Sequence, residues 1–501
     1  MQIISIYPHF LKLSRFFYLS LCQTKKAKNT MGKLIGRERE IDELNRCYTS
    51  DRAEFVIVTG RRRIGKTFLV NSVYADQYAF YYTGGHNLTT TQQLHKFSIA
   101  LRQYGYNPTA ATTAANWFEA FEALQELLQG IASKDGKRKI IFIDEMPWID
   151  AAKSDFVEAL EYFWNSWGAL QDDVMLIASG SATSWMNDKL VANKGGLHAR
   201  ITKQIVLEPF SLKEVEEYLT CAGAHWDRFQ IAQTYMVLGG VPFYLSLLDT
   251  SKSFAQNVDE LFFSRNASLR LEFGELYHAL FSNAQLYVAI VEALARKRKG
   301  LTRAEIAENT KIKSSALTQY LNNLEKCGFI ECYQQYGKKV RGLTYRLIDF
   351  YTLFYFKYIA NNRDMDPKWW SNNMLSASVS AWQGFSFELL CLVHLPQIKD
   401  ALGISGIASS VSQWKNETSQ IDLIIDRADR IVNLCEMKFS NTPFEITKAY
   451  AERLRNRMAD FCASTKCKKG ISNTFVTTYG VKQGKHSSIV NNQVLLDDLF
   501  N

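Results

Sequence analysis

The stretch EFVIVTGRRRIGKTFLVNSVYAD, residues 54 to 76, leaves the backbone few paths. Its first half is short, apolar and rich in β-branched residues, the pattern of a strand buried on both faces of a parallel sheet. Its second half, from Gly65-Lys66-Thr67 onward, reads as a helix. Between them Gly60 and Gly65 frame four residues, three of them arginines. Strand, glycine-bearing turn and helix make a cradle for phosphate. The glycines let the chain curl so that several amides converge, and the helix N-terminus adds partial positive charge. Lys66 can then reach β- and γ-phosphates, and Thr67 can offer a hydroxyl to magnesium. Residues Gly60, Arg61, Arg62, Arg63, Ile64, Gly65, Lys66, Thr67 and Phe68 are accordingly expected to bind ATP with Mg2+. The amides serve whatever the arginine side chains do; those are left to meet the nucleotide, a neighbouring subunit or nothing.

Residues 137 to 150, KRKIIFIDEMPWID, place a second apolar strand that ends in Asp144, followed by Glu145. A carboxylate at the end of a buried strand is costly without a task. Asp144 is expected to hold magnesium, directly or through water, and Glu145 to polarise the attacking water as general base. A third strand, in DVMLIASGSATSWM (residues 173 to 186), ends in Ser179-Gly180-Ser181. A hydroxyl of Ser179 or Ser181 there either senses the γ-phosphate or only makes a polar strand-to-helix turn.

LIGREREIDELNRCY precedes the loop, and LEPFSLKEVEEYL and LGGVPFYL follow it. Five elements thus occur in order, and residues 33 to 250 resemble the AAA-type and STAND-like ATPases of prokaryotes. The resemblance implies that Ile35, Gly36 and Arg37 lie beside the adenine, and that Gly240 and Pro242 of a helical lid pack there too. It also implies that Arg200 acts as an arginine sensor or finger; as a residue alone, Arg200 is equally a surface ion-pair partner.

Residues 286 to 350 carry a helix-turn-helix rhythm: an amphipathic helix over 286–296, Thr302 as the N-cap of a short helix, a turn at KIK, and a longer helix closed by Gly328. Ala316, Leu317, Leu321 and Leu324 stand at core spacing in that longer helix. FIECYQQ and LTYRLID then pair as a wing. In a DNA binder Ser314, Ser315, Thr318, Gln319 and Asn322 would face the major groove, while Lys311, Lys313, Lys338, Lys339 and Arg341 would meet phosphates. The other reading is a lid or a protein contact. The aromatic run from Phe350 reads as a packing helix.

In the tail, WQGFSFELLCLVHLPQIKDALG reads as a helix carrying Glu388, and SQIDLIIDRADRIVNLCEMKFS as two strands. The first strand bears Asp422; the second bears Glu436 and Lys438, two apart and so on one face. Three carboxylates and a lysine are expected to converge on a sheet edge, where Asp422 and Glu436 would hold a metal ion and Lys438 would orient or deprotonate water. This quartet resembles the PD-(D/E)xK nuclease fold, although Ile421 stands where a proline is usual. A structural α/β domain with salt-bridged acids is the other reading.

A chain of 501 residues exceeds one hydrophobic core. The expected division is a start placed too early over 1–30, with translation from Met31; a P-loop ATPase core over 31–205; a helical lid over 206–280; a winged helix over 281–350; a linker helix over 351–380; and a restriction-endonuclease-like α/β domain over 381–501. That whole arrangement resembles a family of prokaryotic AAA-type DEXX-box ATPases with an uncharacterised C-terminal domain. Nine scattered cysteines without a paired CxxC argue for reduced thiols in a cytoplasm, and no apolar run approaches a membrane span. A net charge of +9 permits nucleic acid as a partner without demanding it.

The leading expectation is an ATPase that couples nucleotide state to DNA binding, with a nuclease-like tail and with homo-oligomers allowed. A STAND-like switch that binds protein partners is the runner-up, and a transcriptional regulator with ATP as effector is third.

Overall fold

The strand that begins the phosphate cradle is the second from the edge of a five-stranded parallel sheet. In this computed structural model, which describes residues 34–107, 113–134, 136–151, 154–191, 196–197, 199–281, 283–297, 299–338, 343–362 and 366–501, the sheet is formed by β1 (Glu54–Gly60), β2 (Tyr78–Thr83), β3 (Lys139–Asp144), β4 (Val174–Gly180) and β5 (Lys203–Leu207). The strand order is β2-β3-β4-β1-β5. Every residue of β1 and β4 is buried, as an unalternating apolar run requires when helices cover both faces. One face packs on Glu38–Thr49 and Lys66–Tyr74, the other on Thr90–Gln103, Trp117–Gly130 and Phe156–Ser166. Parallel strands bring the C-terminal ends of β1, β3 and β4 to one edge, which gathers Gly60, Asp144 and Ser179–Ser181.

The lid follows as Leu212–Cys221, Arg228–Leu238, Pro242–Leu245 and Ser268–Leu280, with shorter turns between. The helix-turn-helix comprises Ala284–Arg296, Arg303–Thr310 and Ser314–Lys326. Thr302 caps its second helix in a reciprocal box with Glu305. The wing is three-stranded rather than two-stranded: β6 (Leu301–Thr302), β7 (Ile330–Tyr333) and β8 (Thr344–Leu347) pair in the order β6-β8-β7.

The tail sheet contains β9 (Ser409–Lys415), β10 (Gln420–Arg427), β11 (Ile431–Lys438), β12 (Gly470–Thr477) and β13 (Asn492–Leu495), ordered β13-β12-β11-β10-β9. β11 is therefore the central strand, and the expected sheet edge is corrected: β9 covers β10 on one side while β12 and β13 extend the other. The single expected helix around Glu388 is two, Ala377–Val393 and Leu395–Ala401, because Pro396 cannot donate within a helix and instead starts the second.

The lid, the helix-turn-helix and the tail share one apolar cluster that runs from Phe210 through Leu317, Tyr351, Trp370 and Phe387 to Phe500. The wing also joins the tail by backbone: Gln413 of β9 accepts from Tyr336 N at 2.8 Å and donates to Gln334 O at 3.1 Å. Covering β9 in this way removes an exposed strand edge. The spurious-start reading of 1–30, Met31, Lys339 and Arg341 all lie outside the described residues.

Candidate active site

The phosphate loop is shaped by its glycines and held by its arginines. Gly60 has φ 146°, and a Cβ there would stand 2.6 Å from Leu207 O, so only glycine fits between β1 and β5. Arg63 has φ 72°, a left-handed conformation that costs a non-glycine residue about 1 kcal/mol or more. The loop's surroundings hold it there. The Arg63 guanidinium donates two bonds to Glu272, at 3.0 and 2.9 Å, and lies 4.0 Å from the Phe243 ring centre. Arg61 is fully buried and donates to Asp349 Oδ1 at 2.6 Å; Asp349 in turn caps the helix that begins at Phe350 through Thr352 N at 3.0 Å. Arg62 sits over Trp148 at 5.6 Å.

Lys66 is buried, and its ammonium donates to Gly60 O, Arg61 O and Ser181 Oγ at 3.1, 3.1 and 3.0 Å. Burial lowers its pKa, against the pull of Glu145 and Asp144. Thr67 Oγ1 donates to Asp144 Oδ2 at 2.7 Å, and Ser179 donates to the other Asp144 oxygen. Burial raises the Asp144 pKa, and these two hydroxyls oppose the rise. A hydroxyl facing a carboxylate across the loop is a set of hard oxygens that suits a small divalent cation.

Glu145 is left-handed, φ 50°, and accepts from Ser181 N at 3.0 Å and Ser181 Oγ at 2.5 Å. Lys66, Ser181 and Glu145 thus form one hydrogen-bonded chain. Ile35, Gly36 and Arg37 meet the lid nearby: Arg37 donates to Glu208 O at 2.7 Å, and its guanidinium lies 4.9 Å from the Phe210 ring centre. Gly240, φ 64°, lies so close that a Cβ would stand 2.2 Å from Phe210 O, and Phe210 N donates to Gly240 O. Pro242 opens the next short helix. Arg200 is exposed and its side chain bonds to none of the described residues; Phe68 is also exposed. The long-range partners Asp349, Glu272, Phe243 and Trp148 went unread in the sequence. Of these only Asp349 has a local signal, as an N-cap before an apolar run.

In the tail, Glu388, Asp422, Glu436 and Lys438 come within electrostatic reach of one another. Both Glu436 oxygens and one Asp422 oxygen are engaged by protein cations. Asp422 accepts from Arg346 of the wing at 3.2 Å and from Gln420. Glu436 accepts from Arg457 at 2.5 Å and from Tyr450, and pairs with Lys438 at 2.7 Å. Among the described residues no group of three or more His, Cys, Asp and Glu is arranged to hold a metal ion. As it stands, the quartet does not fit a divalent cation.

Glu388 is pushed up to about 7 by burial, then by Asp422, against Lys438. Its folded pKa exceeds its unfolded one, so this proton stabilises the fold at low pH, and the contribution is lost as pH rises from about 4.5 through 7. Glu388→Gln is therefore expected to flatten the fall in urea midpoint between pH 5 and pH 8; an unchanged slope assigns that fall to other groups.

The family model of an ATPase domain predominantly from Archaea matches residues 34–248, and that of an IclR helix-turn-helix domain matches 287–332. An uncharacterised protein of Methanocaldococcus jannaschii is 25% identical over 428 residues, 84% of this chain and 91% of its own. Among solved structures, the Walker-type ATPase PABY2304 of Pyrococcus abyssi is 18% identical with a TM-score of 0.47, covering 65% of this chain and 96% of that one. The ORC2 protein of Aeropyrum pernix is 15% identical with a TM-score of 0.40, covering 65% and 93%. Among the described residues no helix is long and apolar enough to cross a membrane. The chain carries a P-loop ATPase domain over residues 34–248, followed by an IclR-type helix-turn-helix, and it is an ATP hydrolase.

Proposed function

We propose that the chain couples ATP binding and hydrolysis to engagement of duplex DNA by the helix Ser314–Lys326. The observation that carries this reading is the buried Arg61–Asp349 pair, which ties the phosphate loop to the helix leaving the wing. A change at the loop on nucleotide binding then has a mechanical route to the DNA-facing element. Ser314, Ser315, Thr318, Gln319 and Asn322 are all exposed, Leu317, Leu321 and Leu324 are buried beneath them, and Lys311, Lys313 and Lys338 are exposed nearby. An exposed polar helix face flanked by lysines suits major-groove edges and phosphates.

In the cradle, Gly60 to Phe68 bind the phosphates while Ile35, Gly36, Arg37 and Pro242 border the adenine. Lys66 exchanges its two carbonyl partners for β- and γ-phosphate oxygens. Thr67 and Asp144 would hold Mg2+, which when bound neutralises phosphate charge. Ser181 turns from Glu145 towards the γ-phosphate, which leaves the Glu145 carboxylate free to take a proton from the attacking water.

The tail supports a narrower reading. Glu388, Asp422, Glu436 and Lys438 have the chemistry of a phosphodiesterase site, and cleavage there requires the Arg346 and Arg457 pairs to open first. The alternative, a nucleotide-dependent switch that binds protein, is favoured by the wing's engagement with β9, which takes the wing base out of DNA contact.

One experiment sorts these readings: ATPase rate with and without duplex DNA, with strand integrity read in the same tubes. DNA is expected to change the rate at least about threefold in wild type, and Lys313→Ala/Gln319→Ala is expected to lose that response by weakening contacts of about 1–3 kcal/mol. No DNA response, together with ATP-dependent oligomers, overturns the DNA reading in favour of the switch. Intact DNA in the presence of magnesium or manganese refutes the tail reading alone.

A further inference from the structure

Three arginines stand in the phosphate loop, and two are spent on protein. Arg61 pairs with Asp349 and Arg63 with Glu272. Arg62 makes no ion pair or hydrogen bond with any described residue, and its Nε is buried without a partner. Its guanidinium lies over Trp148, in the four-residue helix that directly follows Glu145. Trp148 is itself fixed: its amide donates to Glu145 O at 3.0 Å and its carbonyl accepts from Gln93 at 2.7 Å. The half-buried Arg62 side chain is thereby directed to the strand end that carries Glu145. Its electrostatic neighbours agree with this placement: burial and then Arg63 lower the pKa of Arg62 against the pull of Glu145, and burial lowers that of Lys66, with Arg62 adding to the fall. The free donors of Arg62 thus lie within electrostatic reach of both the lysine that binds phosphate and the carboxylate that accepts the water's proton.

We propose that Arg62 is a catalytic residue that contacts the γ-phosphate and supplies, from within the same chain, the cationic charge that stabilises the hydrolytic transition state. The proposal rests on the nucleotide cradle assigned above. In the step, the water oxygen forms a bond to the γ-phosphorus as the β–γ bridging oxygen leaves with its electron pair, and the water proton passes to Glu145. Negative charge grows on the γ-oxygens and on the leaving oxygen. A guanidinium with unused donors meets that charge in a partly desolvated site, where it is worth more than in water. Trp148 holds the planar group in place by cation–π contact at no cost to its hydrogen bonds. A phosphate-loop arginine of this kind removes the need for one supplied across a subunit interface, and Arg200, whose exposed side chain bonds to none of the described residues, is not required for it.

The test is Arg62→Ala and Arg62→Lys, with ATP affinity by calorimetry and turnover by phosphate release measured separately. Arg62→Ala is expected to lose kcat by about 10³-fold, the lower end for loss of a transition-state arginine, with Kd for Mg-ATP held within about threefold. Arg62→Lys is expected to recover only part of the loss, because a point charge does not reproduce a planar fork. Added guanidinium ion is expected to raise kcat of Arg62→Ala without changing Kd, a rescue that a merely structural role would not show. The wild-type rate per chain is expected to be independent of protein concentration. Turnover of Arg62→Ala within about threefold of wild type overturns the proposal. So does a rate that rises with protein concentration and is lost in Arg200→Ala, which would assign the charge to a neighbouring subunit. If wild type binds no ATP, the cradle reading fails instead, and the calorimetry alone reveals it.

Discussion

Glu145→Gln is expected to bind ATP as wild type does and to hydrolyse it at least about 10²-fold more slowly, the lower bound for losing a positioned general base. The substitution keeps the shape of the side chain and the left-handed backbone at φ 50°, so the strand end should not move. It removes the group that can take a proton. In this structure Glu145 accepts two bonds from Ser181, one from the amide and one from the hydroxyl, and the same hydroxyl accepts from Lys66. Both carboxylate oxygens are thus engaged by Ser181, and in the proposed mechanism they are released when phosphate competes for Lys66 and Ser181. An interaction made only in the transition state lowers kcat and kcat/KM together and leaves binding alone. Calorimetry with ATP and steady-state phosphate release separate the two. Turnover within about fivefold of wild type would show that another group takes the proton.

What the sequence makes legible follows from distance along the chain. The strand, turn and helix around Gly60 and Lys66 are contiguous, and burial on both faces leaves an unalternating apolar run. The Thr302–Glu305 capping box spans four residues and is written in local order. The parallel sheet, the helix-turn-helix and the two antiparallel tail strands are readable on those grounds, whereas the lid is read from a family resemblance. The choice of partner for a charge is different in kind. Arg61 lies 288 residues from Asp349, and Arg63 lies 209 from Glu272. The N-cap position of Asp349 is locally legible, but nothing local names Arg61 or Arg63 as the partner of either acid among the 50 in the chain. The same limit hides Arg346 and Arg457 from the tail quartet, since each arrives from a separate element: the wing, and the helix Lys448–Thr465. It also hides the central position of β11, because its neighbour β12 lies beyond that helix and carries no motif. The wing's union with β9 combines backbone bonds with the side chains of Thr344, Arg346 and Gln413, the first two lying 69 and 67 residues from the third.

The Arg61–Asp349 pair has the largest expected effect on stability. Both side chains are almost wholly buried, and the two Arg61 nitrogens not used for Asp349 have no partner. Asp349→Ala leaves an uncompensated guanidinium in the interior and should cost about 3–5 kcal/mol. Loss of the cap on Thr352 adds about 1 kcal/mol. Against a total stability of about 5–15 kcal/mol, that is enough to populate unfolded chains. Asp349→Asn keeps a capping oxygen but not the charge, so it should recover only the cap. The decisive variant is Arg61→Met/Asp349→Asn, which removes both charges and keeps the cap. If the damage in the single variant comes from an unpaired charge, the double variant regains most of the lost stability, and the interaction energy between the two sites is large and favourable. Urea midpoints for wild type, Arg61→Met, Asp349→Asn and the double variant at one pH measure it. Additive losses would mean that each residue matters for its own packing. The phosphate loop would then be tied to the helix after the wing by shape alone.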